Sequence, residues 1–234
     1  MVGAHFSIVV YGASTIKWQR REIRSYVLRQ GRITRGQTRA FDLGWPVYGL
    51  NSVVGMLDFE TTFGRSAPTV LEIGFGMGDS FAAQAKFSPE KNFIGVEVHK
   101  PGVGHLLMKV IEKEITNIRV YKEDSRKVLR QAIPEDSLQT VQVFFPDPWP
   151  KKRHRKRRLV GLVFLDVIAS KLKPGGLVHI VTDWVPYAEE VEKLLASRSD
   201  FGPVEIPHRP ETKFERRGRK LGHEVRDLAY RLYQ

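Results

Sequence analysis

The stretch Leu71–Asp79 reads LEIGFGMGD, an acid followed by glycines at positions 74, 76 and 78. Glycines so spaced allow a tight turn after a strand and let a ligand approach the backbone, which suits a nucleotide-like molecule. Two details argue against a dinucleotide. Asp79 stands where a pyrophosphate fingerprint needs its third small residue, and Glu72 would repel a pyrophosphate while suiting the ammonium of an amino acid. Glu97 follows 23 residues after Gly74, where a carboxylate accepts both hydroxyls of a ribose. Asp124 comes next, placed to accept a hydrogen bond from an adenine amino group. Each acid taken singly also reads as a surface or helix-capping residue. Three in succession, each at the end of a strand, together with Gly74 and Gly76, form the constellation expected of S-adenosylmethionine binding. A fourth acid, Asp147, lies in Pro146-Asp147-Pro148-Trp149-Pro150. Prolines on both sides restrict the backbone and present the carboxylate rigidly. Alone this is a stiff turn, but beside the glycine loop and directly before Lys151 it reads as a substrate loop.

Regular elements have to carry these residues. TVLEI (69–73), FIGVE (93–97), IRVYK (118–122), VQVFF (141–145) and LVHIVT (177–182) are apolar runs of strand length. Between them lie helical stretches at 79–87, 101–115 and around Val128-Leu129. A further helix at 159–172 places Val160, Val163, Phe164, Val167 and Ile168 on one face, and another aligns Trp184, Tyr187, Ala188, Val191 and Leu195. KPGG (173–176) is expected as a turn, and Asn51–Phe63 as a helix leading into the core. Strands alternating with helices predict an α/β fold with a doubly wound, mostly parallel, Rossmann-like sheet.

The chain has 234 residues, no cysteine and a net charge of +12. The missing cysteine excludes disulfides, thiolate metal sites and cysteine nucleophiles. The seven histidines show no ligand spacing, so no metal is expected. No apolar run is long enough to span a membrane, and FSIVVYGA lacks the basic lead of a signal peptide. The charge is concentrated in three segments. Lys17–Arg39 carries +7, the run KKRHRKRR (151–158) another +7, and Arg209–Arg226 carries +4, leaving the rest at −6. An acidic body with arginine-rich segments favours nucleic acid over a lipid surface, since no basic segment has the apolar stripe of a membrane-surface helix. A solvated basic tract is the plain alternative for the central run.

LEIGFGMG, GVEVHKPG, FFPDPWPKKRHRKRR, VTDW and TKFERRGRKLGH, in this order, resemble the bacterial tRNA (guanine-N7)-methyltransferase family, as does RSYVLRQGRITRGQ near the start. The resemblance spans roughly residues 20–232. It implies a class I S-adenosylmethionine-dependent methyltransferase acting on N7 of a guanosine in the tRNA variable loop, in the cytoplasm, as a monomer or small homo-oligomer. The expected layout is a basic N-terminal arm over 1–50 and a methyltransferase domain over 51–234, with a substrate-binding segment at 207–226. The resemblance carries cofactor contacts onto Glu72, Glu97 and Asp124, with Asp147 at the methyl end as the catalytic residue. It carries substrate contacts onto Lys151, Asp183, Thr212, Lys213, Phe214 and Glu215. Arg153, His154, Arg155, Lys156, Arg157 and Arg158 are expected to meet RNA. For Asp183 a helix-capping role stays open, for Glu215 an ion pair with a neighbouring arginine, and for Trp149 and Phe214 either stacking on the base or packing beneath the loop. A non-catalytic RNA-binding protein is the alternative class, and it leaves the three strand-end acids unexplained.

Overall fold

The computed structural model describes residues 23–27 and 31–233. The first sixteen residues, and 17–22 and 28–30 of the basic N-terminal segment, lie outside the described residues. From Arg35 onward that segment joins the body. Thr34 and Gln37 form a reciprocal capping box that starts helix α1 (Arg35–Tyr48), and strand β1 (Gly49–Leu50) follows at the sheet edge. Gly44 lets α1 approach Leu107 and Ile111 closely, and Gln37 Nε2 donates to the Pro101 carbonyl at 3.0 Å. A basic, glycine-containing stretch thus forms a packed helix.

The expected helix over 51–63 is broken. A 3-10 turn (Ser52–Val54) stops at Gly55, whose φ of 105° only glycine adopts readily, and helix α2 is confined to Phe59–Phe63. The alternating units then follow: β2 (Thr69–Ile73), α3 (Asp79–Phe87), β3 (Asn92–Val96), α4 (Lys100–Glu112), β4 (Ile118–Tyr121), α5 (Ser125–Gln131), β5 (Leu138–Phe144), α6 (Leu162–Lys171), β6 (Leu172–Thr182) and α7 (Val185–Ala196). The expected KPGG turn lies inside β6. Leu138 pairs with Leu172 but Thr140 with Leu177, so the four residues form a bulge with Gly175 at φ 75°. After α7 come a short strand β7 (Phe201–Pro203), helix α8 (Lys213–Lys220) and strand β8 (Arg226–Leu232).

The eight strands among the described residues lie in the order β1-β4-β3-β2-β5-β6-β8-β7, parallel except for β8, which is antiparallel to both β6 and β7. One face is covered by α1, α3 and α4 over Phe81, Phe93, Val103, Leu106 and Val110. The other is covered by α5, α6 and α7 over Leu71, Ile94, Val143, Leu165, Ile180 and Tyr187. The chain winds outward from β2 through β3 to β4, then returns to β5 on the other side of β2. Ligands bind such sheets at this switch point, beyond the carboxyl ends of the strands.

Candidate active site

A cleft of about 560 Å³ opens at that switch point. One wall is the turn after β2. Gly74, Gly76 and Gly78 all have positive φ, and a Cβ at Gly74 would project into open space. The backbone is therefore accessible where the turn meets the cleft. Glu97, one residue beyond β3, is fixed by main-chain donors. Its Oε2 accepts from Gly76 N at 2.9 Å, and its Oε1 from Val98 N at 2.7 Å and His99 N at 2.9 Å. The carboxylate thus ties the glycine turn to the end of β3. Ile73, Val96 and Val98 add apolar wall, and Glu123 and Ser125 line the next position. A glycine cradle, one anchored carboxylate and apolar flanks fit an adenosine-bearing cofactor.

The opposite wall is the loop after β5, which contributes Pro146, Asp147, Pro148, Trp149 and Pro150. Phe145 and Trp149, on either side of the Pro-Asp-Pro core, have φ of 50° and 44°. Left-handed backbone at non-glycine residues costs about 1–3 kcal/mol each and persists only where the surroundings enforce it. Here they do. Phe145 N donates to the Val181 carbonyl at 2.7 Å. Arg158 Nε donates to the Pro148 carbonyl at 2.8 Å, while its guanidinium pairs with Glu190 and faces the Tyr187 ring at 4.7 Å. Arg158 is expected from the sequence to face RNA; at 6% exposure it is an internal brace instead. Burial is affordable to a guanidinium only with such partners. Lys151, Arg153, Arg155 and Lys156 are exposed along the 3-10 helix 152–157, with His154 half-buried.

Trp149 lines the cleft and is gripped by its neighbours. Its ring carries Arg157 at 3.9 Å and His154 edge-on at 5.8 Å. Residues 23–27 cross this wall, and four of their carbonyls accept hydrogen bonds. Arg126 donates to Ile23 O, Arg157 to Arg24 O and Tyr26 O, and Trp149 Nε1 to Ser25 O, at 2.9–3.1 Å. Ser25, Tyr26 and Val27 consequently line the cleft.

The C-terminal residues close the site from above. Thr212 Oγ1 accepts from Glu215 N at 3.0 Å and caps α8. Lys213 and Phe214 are exposed. Phe214, 57% exposed, stacks on Phe145 at 6.3 Å and lies over Gly76. Glu215 is buried, and its carboxylate takes Arg209 at 2.6 Å and Arg219 at 2.8 Å. Burial acts to raise its pKa, but these bonds outweigh it and hold Glu215 below the usual carboxylate range. Asp183 Oδ2 and His223 Nδ1 are 3.0 Å apart, and Gly218 leaves room for that carboxylate against α8. The helix after Asp183 is capped by no side chain.

Gly74, Gly76, Glu97, Asp147 and Phe214 therefore line one cleft. Glu72 and Asp124 stand back from it. Asp124 caps α5 through Arg126 N at 2.8 Å. Glu72 is 3% exposed beneath the turn, with Gln84 Nε2 donating to it at 3.4 Å. Burial pushes its pKa up to about 8 against the pull of Arg209, with Glu97 adding to the rise. The sequence reading passes over the buried partners of this region. Their signal is a polar residue in the middle of each of three apolar strands, Glu72, Gln142 and His179, which pair side by side across the sheet.

Among the described residues no group of three His, Asp or Glu could hold a metal, and no helix is long and apolar enough to cross a membrane. A family model described as "Putative methyltransferase" matches residues 66–228. The tRNA (guanine-N(7)-)-methyltransferase of Alkalilimnicola ehrlichii is 51% identical over 221 residues, covering 91% of this chain and 93% of that protein. That of Alcanivorax borkumensis is 49% identical, covering 90% and 91%. Among solved structures, the 16S rRNA methyltransferase KamB superposes with a TM-score of 0.58 at 16% identity, over 76% of this chain and 95% of that one, which shows a shared class I methyltransferase fold. On this evidence of sequence and fold, the chain belongs to the tRNA (guanine-N7)-methyltransferase family.

Proposed function

We propose that the cleft transfers a methyl group from S-adenosylmethionine to N7 of a guanosine in the tRNA variable loop, giving 7-methylguanosine. The observation that carries this is the sharing of one cleft by the glycine turn, Glu97 and the Asp147 loop. Gly74, Gly76 and Glu97 would hold the cofactor, with Glu72 and Asp124 supporting the ends of β2 and β4. When bound, S-adenosylmethionine supplies an electrophilic methyl group on sulfonium.

The chain's own residues then have a defined task. Guanine N7 already has a free lone pair, so Asp147 need not remove a proton. Its carboxylate instead accepts from the N1–H and N2–H₂ edge of guanine, aims N7, and stabilises the positive charge the purine acquires. Phe214 offers an aromatic face to the base. Lys151, Asp183, Thr212 and Lys213 frame the substrate, and Glu215 acts by holding α8. Exposed Arg153, Arg155 and Lys156, flanked by His154 and Arg157, meet phosphates. The target base has to leave its stack, at about a few kcal/mol. This reading brings with it a cytoplasmic enzyme working as a monomer or small homo-oligomer.

The test is incubation with unmodified tRNA and labelled S-adenosylmethionine, followed by nucleoside identification and mapping. Label in 7-methylguanosine of the variable loop is expected. Label on another atom or none in RNA would refute the proposal.

A further inference from the structure

The sheet face over β5 and β6, beside α3, is covered by the connector 204–212 and α8. Beneath that cover run Glu72, Gln142 and His179, adjacent residues of β2, β5 and β6. All three are buried. Polar side chains in such a row need partners, and Gln84 bridges two of them, accepting from Gln142 Nε2 at 2.9 Å and donating to Glu72. The third, His179, pairs with Asp227 of β8 and meets Phe144 edge-on at 5.0 Å.

Arg209, from the connector, completes this layer. Its Nη2 donates to Asp227 Oδ2 at 2.7 Å and its Nε to the same oxygen at 3.1 Å. Its Nη1 donates to Glu215 Oε2 of α8 at 2.6 Å. The guanidinium lies 5.2 Å from the Phe144 ring, directly before Phe145 and the Asp147 loop, and its charge acts on Glu72 beneath the glycine turn. One planar cation thus touches β5, β8 and α8 at once. Such a fork reaches two carboxylates in fixed directions, as an ammonium does not.

We propose that Arg209 is a positioning residue for the reaction: by joining Glu215 to Asp227 against Phe144, it sets α8 and Phe214 in register with the Asp147 loop. This rests on the methyl-transfer reading above. Arg209 does not itself line the cleft but lies against Phe144, which does, so its effect passes through Phe144 and through Phe214, one residue from Glu215. The phosphate-binding cations on the surface are independent of it.

The test compares wild type, Arg209→Lys, Glu215→Gln and the double variant at saturating cofactor and tRNA, with kcat expressed per folded protein from the melting curve. Arg209→Lys is expected to lower kcat about tenfold or more, while Kd for tRNA changes by less than about threefold. Glu215→Gln should do the same, and the double variant should lose little more than either single one. An unchanged kcat per folded protein in Arg209→Lys, with only a lower melting temperature, would overturn the proposal. Should Arg209→Lys fail to fold, an unchanged kcat in Glu215→Gln overturns it equally. Wild-type activity in the same assay separates the two ideas: if wild type does not methylate tRNA guanosine, the functional reading fails first.

Discussion

Asp147 is offered to the cleft by a backbone that cannot relax, with prolines on both sides and left-handed residues just beyond. If its work is to aim guanine and balance charge, Asp147→Asn retains the shape and loses the second acceptor and the charge. The expected outcome is a fall in kcat of about a hundredfold or more with cofactor affinity kept, read from single-turnover rates and calorimetric titration. Equal losses in both would count against the assignment. Glu72 makes a different kind of statement. The unfolded chain releases this proton near the ordinary 4.5, while the folded protein keeps it to about 8. The stability contributed by the neutral form is complete below the lower value and is lost as pH climbs to the upper one. Glu72→Gln removes the dependence. Urea melts should show the variant gaining on wild type by on the order of a few kcal/mol between about pH 5 and 8. A difference that stays constant over that range would mean Glu72 is not held neutral.

Helix α4 owes its place to the absence of a side chain. A Cβ on Gly102 would lie 2.1 Å from the Gly76 carbonyl oxygen, so the start of the helix and the glycine turn share one space. Gly102→Ala must push the turn aside, at a cost of about 1–3 kcal/mol, and cofactor affinity should weaken by about tenfold or more in titration. Gly161→Ala, where no atom lies within 4 Å of the added carbon, should leave that affinity unaltered. The central strands were legible because a strand covered on both faces is a nearly continuous apolar run, interrupted only by Glu72 in VLEI and Gln142 in VQVFF. Strand β8, reading RDLAYRL, has no such run, since it lies near the sheet edge and turns Arg226, Asp227 and Arg231 to ion pairs and carbonyls. Helix α1 was hidden by its glycines and Pro46, which count against a helix in propensity and are outweighed by close packing on α4. In the site, Gly74, Glu97 and Asp147 were readable because local spacing ties them to strand ends. Arg158 and Arg209 were not, for an arginine in a basic run looks the same whether it faces water or the acids that the fold brings to it.

Across the whole molecule the positive charge is divided by function. Arg158 is buried and Arg209 is spent on Glu215 and Asp227, while Lys151, Arg153, Arg155 and Lys156 are exposed just after the Asp147 loop. If about 6–10 cations of the basic segments meet phosphates, tRNA affinity should drop by about a thousandfold or more over a fourfold rise in salt. Filter binding across that range checks it, and a flat response would contradict phosphate contact. The wall formed by residues 23–27 behaves unlike any of these charged contacts. Four consecutive carbonyls are the acceptors there, and each stays in place whatever side chain its residue carries. An alanine survey of Ile23, Arg24, Ser25 and Tyr26 leaves every one of those bonds intact, so tolerance to substitution in this stretch is no measure of need. Shortening the chain, or replacing an amide by an ester, would expose what the backbone of the stretch does.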